Sequence, residues 1–283
     1  MKVRELLKQA EDNLDNMHKD MNVAKVLFYH LAKKEPHQLY MMMDEEVDVC
    51  LEKTFLEGIE EYKNGKPIQY IKGVETFFGR DFIVNPHVLI PRYETEELVE
   101  HILYRIDDYF SDYDTISLCD VGTGSGAIAT TLALEEDRLQ VVATDISSEA
   151  IAVAKENANK LNAQVSFIVG DMLEPFITKQ HKVDIFVSNP PYIPKEQNIE
   201  SIVKDNEPNV ALFGGIDGLY FYRRIFQDVK KILNDKALLA FEIGFDQKES
   251  LKQLVQDSFP KERFEIIKDM NGKDRMLFIY YQM

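Results

Sequence analysis

Several things are scarce in this chain, and each scarcity removes a class of protein. No apolar run approaches the roughly 20 residues of a membrane-spanning helix, so no membrane partner is expected. Only two cysteines occur among 283 residues, Cys50 and Cys119. Both stand among apolar neighbours, which predicts buried thiols and no redox or metal motif. The six histidines are scattered, and none stands at ligand spacing from a Cys, Asp or Glu, so no metal site is expected. Basic residues are outnumbered, 33 against 49 acidic, for a net charge of −16. A field of that sign repels phosphate backbones and argues against a broad nucleic-acid surface; it suits a cationic small molecule or a basic protein. The opening "MKVRELLKQAEDNLDNMHKD" alternates charge with apolar residues, unlike a signal peptide, and the expected location is the cytoplasm.

What remains is a soluble globular composition, 45% hydrophobic and 29% charged. The length allows one large core, or a medium core with a small second domain. Residues 1–64 read as a small all-helical domain. Val3, Leu6, Leu7, Ala10, Leu14 and Met17 follow helical spacing, "NVAKVLFYHLAKK" is a second helix, and Val47, Leu51, Phe55, Ile59 and Tyr62 mark a third that stops at Asn64-Gly65. Residues 65–91, rich in β-branched and aromatic residues with turn breaks, predict a β-hairpin linker. From 92 to 283 helices and strands alternate, beginning with the stripe Leu98, Val99, Ile102, Leu103, Ile106 and Phe110. Expected strands are "TISLCDVG", "LQVVATDI", "VSFIVGD", "VDIFVSN" and "ALLAFEIG", with "FEIIKDM" and "RMLFIYYQ" pairing antiparallel at the end. This alternation predicts an α/β fold with a doubly wound, mostly parallel sheet.

Chemistry concentrates at the ends of those strands. In "DVGTGSGAIA", Gly122, Gly124 and Gly126 let the backbone turn tightly and approach a ligand. The spacing is G-x-G-x-G, not the G-x-G-x-x-G of dinucleotide folds. S-adenosylmethionine has no phosphate but carries an amino-acid tail and a sulfonium cation, and the acidic Asp120 beside the loop suits it. A glycine-rich turn without a ligand is the plain alternative. Asp145, ending the second strand, can accept from both ribose hydroxyls and would reject a 2′-phosphate. Asp171, ending the third, can accept from an adenine amino group while Met172 packs on the ring. For each aspartate the plain alternative is a helix N-cap.

The stretch "VSNPPYIP" ends the fourth strand. Pro190 and Pro191 have no N–H for a ladder, so the strand stops there. The Asn189 side-chain oxygen and the Pro190 carbonyl can converge on one NH2 group, and Tyr192 can stack on its flat neighbour. Such a site suits a planar, neutral nitrogen. Two acceptors on its N–H bonds return electron density to nitrogen, and no base is needed before transfer. A rigid strand-ending turn is the plain alternative.

Together "DVGTGSGAIA", "TD" at 144–145 and "NPPY" at 189–192 resemble class I SAM-dependent methyltransferases of amino groups. With "PIQYIKG", "VLIPRYETEELV", "NEPNVALFGGIDGL", "FEIGFDQ" and "KDMNGKDRM", the stretch from about 67 to 276 resembles the release factor glutamine methyltransferases (the HemK/PrmC family). Tyr93 departs from the family, which usually has Pro there. The resemblance implies a Rossmann-like methyltransferase domain over 92–283 and a substrate-recognising helical domain. It implies methylation of the glutamine amide in the Gly-Gly-Gln loop of class-1 peptide-chain release factors, with S-adenosylhomocysteine as product. It also implies Gly122, Thr123, Gly124, Ser125, Gly126, Asp145 and Met172 for the cofactor and Asn189, Pro190, Pro191 and Tyr192 for the glutamine. Arg92, Glu94 and Glu207 are implied near the substrate mouth; local ion pairs bracing loops are their plain alternative. Three rivals stand beside this reading. They are a nucleic-acid methyltransferase acting on adenine N6 or guanine N2, a nicotinamide-dependent dehydrogenase disfavoured by the glycine spacing, and a non-catalytic binding module. A monomer without direct nucleic-acid contact is expected.

Overall fold

The apolar run Val183–Ser188 forms a strand buried along its whole length, as expected for the middle of a sheet covered on both faces. Side chains alternate across it. Ile185 and Val187 join a core with Leu98, Ile102, Ile128 and Leu238, while Phe186 joins another with Tyr222, Phe226, Leu239 and Phe241. Each such side chain, taken fully out of water, contributes about 1.5–3 kcal/mol.

The computed structural model describes residues 1–283. Helices α1 (Val3–Asp15), α2 (Asn22–Ala32), α3 (Pro36–Met42), α4 (Val49–Lys63) and α5 (Ile68–Lys72) come first. A short hairpin follows, β1 (Val74–Phe77) and β2 (Arg80–Ile83). Then come α6 (Tyr93–Tyr109), β3 (Ile116–Val121), α7 (Ala127–Glu135), β4 (Leu139–Asp145), α8 (Ser148–Leu161), β5 (Val165–Val169), α9 (Glu174–Thr178) and β6 (Val183–Ser188). The chain closes with α10 (Ser201–Asn206), α11 (Tyr220–Asp228), β7 (Leu233–Glu242), α12 (Lys248–Ser258), β8 (Arg263–Lys268) and β9 (Asp274–Tyr281).

The large sheet has the order β5-β4-β3-β6-β7-β9-β8. Strands β3 to β7 run parallel, and β9 lies antiparallel between β7 and β8. This is the mostly parallel α/β sheet the alternation predicts. The order reverses between β3 and β6, which opens a crevice at their carboxyl ends.

Packing divides the chain into residues 1–74 with 199–206 and residues 75–198 with 207–283. In the first unit, Val3, Leu6, Leu7, Ala10 and Leu14 of α1 pack with Leu27, Phe28, Phe55 and Ile59. Asp48 caps α4 by accepting from the N–H groups of Cys50 and Leu51. The segment 199–206 packs with this unit rather than with the stretch from 92 onward; the Asn206 side-chain amide donates to the Gly65 carbonyl at 2.9 Å. No sequence period marks so short and polar a helix.

Other expectations need correction. Residues 65–91 are not one hairpin: 68–72 is helical, closed by Gly73 at φ 74°, and pairing is confined to 74–83. Met17 lies beyond the end of α1 and is exposed. Cys50 is exposed, because α4 buries the face of Phe55, Gly58 and Ile59; Cys119 is buried. Strand β7 starts at Leu233, four residues before the apolar run, because Leu233 pairs with Val183 across a register shift.

Candidate active site

The strand ends are tied to one another before any ligand is considered. Gly122 and Thr123 donate to the Thr144 carbonyl at 2.8 and 3.0 Å, Gly170 donates to the Asp145 carbonyl at 2.9 Å, and the Ser188 hydroxyl donates to the Val121 carbonyl at 2.6 Å. The loop after β3 then turns through three glycines with φ between 55° and 78°, a region that penalises any Cβ. A Cβ on Gly122 or Gly124 would meet nothing within 4 Å, whereas one on Gly126 would press on Ala154 Cβ at 3.0 Å. Gly122 and Gly124 thus leave backbone open to a cavity, and Gly126 lets α7 pack on α8.

That cavity measures about 420 Å³. On its wall are Gly122, Gly124, Asp145, Asp171, Met172, Asn189, Pro190 and Pro191, among apolar neighbours such as Leu89 and Phe221. Asp145 Oδ2 accepts from the Gly124 N–H at 2.9 Å and Oδ1 from the Ser147 N–H at 3.0 Å. Ser147, not Asp145, caps α8, its hydroxyl oxygen accepting from Ala150 N–H. Each Asp145 oxygen keeps lone-pair capacity for a ribose hydroxyl. The Gly124 N–H that a pyrophosphate would require is already taken by a carboxylate. Burial raises the Asp145 carboxyl above its usual range, and the Ser147, Gly124 and Ile146 N–H groups draw it back.

Four residues expected at the cofactor, Asp120, Thr123, Ser125 and Gly126, do not line the cavity. Asp120 is wholly buried beneath the loop and accepts from the Thr123 hydroxyl at 2.6 Å; its Oδ1 has no partner. Thr123 and Ser125 are buried, and the Ser125 carbonyl accepts from Asn157 at 2.9 Å. With Gly126 they build the loop, and Gly122 and Gly124 present it. Asp171 is on the wall, but both its oxygens accept from the Arg224 guanidinium, at 3.2 and 2.7 Å. An adenine amino group there would have to share or displace Arg224. Met172 holds φ at 53° and lies half-buried beside it.

At the end of β6, Asn189 Nδ2 donates to Thr95 Oγ1 at 3.4 Å, and neither Asn189 Oδ1 nor the Pro190 carbonyl receives a protein donor. The turn is braced from below. Gln247 Nε2 donates to the carbonyls of Tyr192 and Gly218 at 3.1 and 3.0 Å, and Ile193 donates to the Leu212 carbonyl at 3.0 Å and accepts from the Gly214 N–H at 2.9 Å. Tyr192 is not on the cavity wall. Its hydroxyl donates to Glu242 Oε1 at 3.2 Å, and burial with that carboxylate raises the phenol well above its usual value. Glu94 adds to the same rise. Glu242 is buried and its carboxyl is pushed up by burial, with the Thr95 hydroxyl and Arg275 opposing. Arg92 forms an ion pair with buried Glu207, which also accepts from the Ile90 N–H at 3.2 Å. In this structure that pair braces the loop before α6.

Sequence reasoning missed Thr95, Glu242, Gln247 and Arg224. Only Glu242 left a trace, a charged residue closing the apolar run "ALLAF".

Residues 5–73 match the PrmC N-terminal domain and residues 100–206 the methyltransferase small domain. Release factor glutamine methyltransferases of Bacillus cereus and Bacillus subtilis are 48% and 44% identical to the chain. The first alignment covers 98% of this chain and 99% of its relative, the second 96% of each. Among solved structures, a methyltransferase from Pyrococcus furiosus superposes with a TM-score of 0.51 at 18% identity, covering 81% of this chain and 96% of that one. The T. thermophilus 16S rRNA N2 G1207 methyltransferase, in complex with AdoMet and guanosine, gives 0.52 at 15% identity over 74% of this chain and 49% of that one.

Proposed function

Because the chain belongs to the release factor glutamine methyltransferases, we propose that it methylates the side-chain amide nitrogen (N5) of the glutamine in the Gly-Gly-Gln loop of class-1 peptide-chain release factors, with S-adenosylmethionine as donor. The observation that supports this reading most directly is the pair of neutral acceptors without protein donors, Asn189 Oδ1 and the Pro190 carbonyl, on residues that line the same cavity as Asp145.

The residues present fit the donor. Asp145 offers acceptor capacity for the ribose hydroxyls, the glycine loop leaves open backbone, and the one guanidinium on the wall, Arg224, is held by Asp171. S-adenosylmethionine, when bound, supplies an electrophilic methyl on a sulfonium and leaves as S-adenosylhomocysteine. The chain's own residues do the rest by position. Asn189 Oδ1 and the Pro190 carbonyl take the two N–H bonds of the carboxamide and return density to its nitrogen. No general base is required first, because those protons become acidic only as nitrogen gains its fourth bond; one of them then passes to solvent as the product leaves, which restores a neutral N-methyl amide. Orientation of this kind can lower a barrier by about 7–11 kcal/mol. The apolar wall keeps water from the reacting nitrogen. A flipped base could offer a similar NH2 group, but the net charge of −16 opposes a polyanion.

The test is transfer of labelled methyl from S-adenosylmethionine to purified release factor. Label should enter the factor, and a factor whose loop glutamine is replaced should stay unlabelled. Asn189→Ala should abolish transfer while leaving the melting temperature near that of the parent. Asp145→Ala should weaken S-adenosylmethionine binding on the order of 10–100-fold, the loss of hydrogen bonds to a charged acceptor. Label in the glutamine-less factor overturns the reading.

A further inference from the structure

Glu242 is a buried carboxylate beside the end of β6 that the reading above leaves without work. It ends β7 next to the end of β6, since Phe241 pairs with Ser188. It is 2% exposed and has no salt bridge. Arg275 is committed to Asp269 at 3.2 Å and to the Ile243 carbonyl at 3.4 Å, and it reaches Glu242 only through the Tyr192 hydroxyl, to which it donates at 3.5 Å. Burying a carboxylate without a direct ion pair is costly, and a neutral residue of the same size would avoid that cost.

The arrangement of donors around it suggests its use. Both side-chain oxygens receive hydroxyls: Oε2 from Thr95 Oγ1 at 2.6 Å and Oε1 from Tyr192 at 3.2 Å. The two hydroxyl donors and Arg275 favour the carboxylate against the rise that burial imposes, and a carboxylate can only accept. The Thr95 proton is therefore committed to Glu242, and the Thr95 oxygen is left as an acceptor. The Asn189 amide meets that acceptor with its NH2 group, at 3.4 Å. The chain of bonds runs one way, Asn189 Nδ2–H to Thr95 Oγ1–H to Glu242, and it leaves Asn189 Oδ1 for the substrate. With a neutral amide at 242 the direction is no longer set. The amide NH2 can donate to Thr95, the Thr95 proton can turn to Asn189, and the Asn189 amide can flip so that its oxygen faces inward.

We propose that Glu242 is a positioning residue for the methyl-transfer reaction: acting through Thr95, it fixes which end of the Asn189 amide the glutamine meets. The inference rests on the function proposed above. It makes Asn189 an acceptor by polarity as well as by place, and it assigns specificity for an NH2-bearing substrate to a residue that does not touch the substrate.

Steady-state transfer to purified release factor, together with calorimetric binding of S-adenosylmethionine, tests this on the full chain. E242Q should lower kcat on the order of 100-fold, as for loss of one preorganised dipole, with KM for release factor and affinity for S-adenosylmethionine unchanged. T95V should fall comparably, T95S should retain the parent rate, and E242Q/T95V should be no slower than either single variant. A merely structural role would lower the melting temperature and both affinities along with kcat. If E242Q keeps the parent kcat, the inference is overturned while the methylation reading stands. If E242Q fails to fold, the Thr95 pair decides, and equal rates for T95S and T95V overturn the inference. If the parent enzyme labels no release factor, the methylation reading fails and the inference falls with it.

Discussion

Asp120 accepts one hydroxyl, from Thr123, and is otherwise enclosed, with the buried Cys119 thiol before it and Asp145 across the loop. Burial raises its carboxyl from an ordinary 3.8 to about 7; the Thr123 bond opposes the rise and the charge of Asp145 adds to it. The folded state thus holds this proton more tightly than the unfolded chain. Its stabilising contribution is complete below about 3.8 and is lost as pH climbs through about 7. Asp120→Asn keeps an acceptor for Thr123 and removes the titration. Its melting temperature should therefore rise relative to the parent between pH 4 and 8, and a constant difference across that range would contradict the assignment. The sequence revealed Asp145 and Asn189 because strand ends and glycine spacing point to them. It placed Asp120 at the ligand because spacing along the chain does not distinguish a residue that faces a cavity from one beneath the loop.

At the scale of elements, the turn after β6 depends on a distant glycine pair. Gly218 has φ at 74°, and a Cβ there would lie 2.2 Å from the Tyr192 carbonyl oxygen and 2.6 Å from Gln247 Nε2. A Cβ on Gly214 would lie 2.4 Å from the Pro191 carbonyl oxygen. Only bare backbone fits against the strand-ending prolines. Gly218→Ala must displace the turn as well as adopt a strained φ, at a cost of about 1–3 kcal/mol for the backbone alone. Thermal unfolding should show that loss, and methyl transfer should fall further than donor binding, because the donor's side of the cavity is formed elsewhere. An unchanged transfer rate would mean the turn tolerates the shift. The strands and long helices of the α/β region were legible because their apolar periods are strong. Helices α3, α9 and α10 were not, since five to seven residues show too few turns for a period to appear. The role of Gly214 and Gly218 was hidden because their partners lie more than 20 residues away in the chain.

For the whole molecule, charge is the dominant sequence property. A net charge of −16 favours approach by a basic partner and is screened beyond about 10 Å at 0.1 M salt. The KM for release factor should rise severalfold between low and high salt while the affinity for S-adenosylmethionine stays level; equal responses would place the salt effect in the cavity. The sequence conveyed this balance directly. It did not convey that residues 199–206 pack with residues 1–74, because nothing in a short polar stretch names its neighbours.

That partition bears on how relatives can be recombined. A chimera that exchanges residues 1–74 alone pairs a foreign bundle with a native piece at 199–206, and the graft is mismatched inside one unit. Exchange of both fragments together keeps that unit of one parentage. The helical region is in this sense a two-part cassette, and it must be transplanted as such.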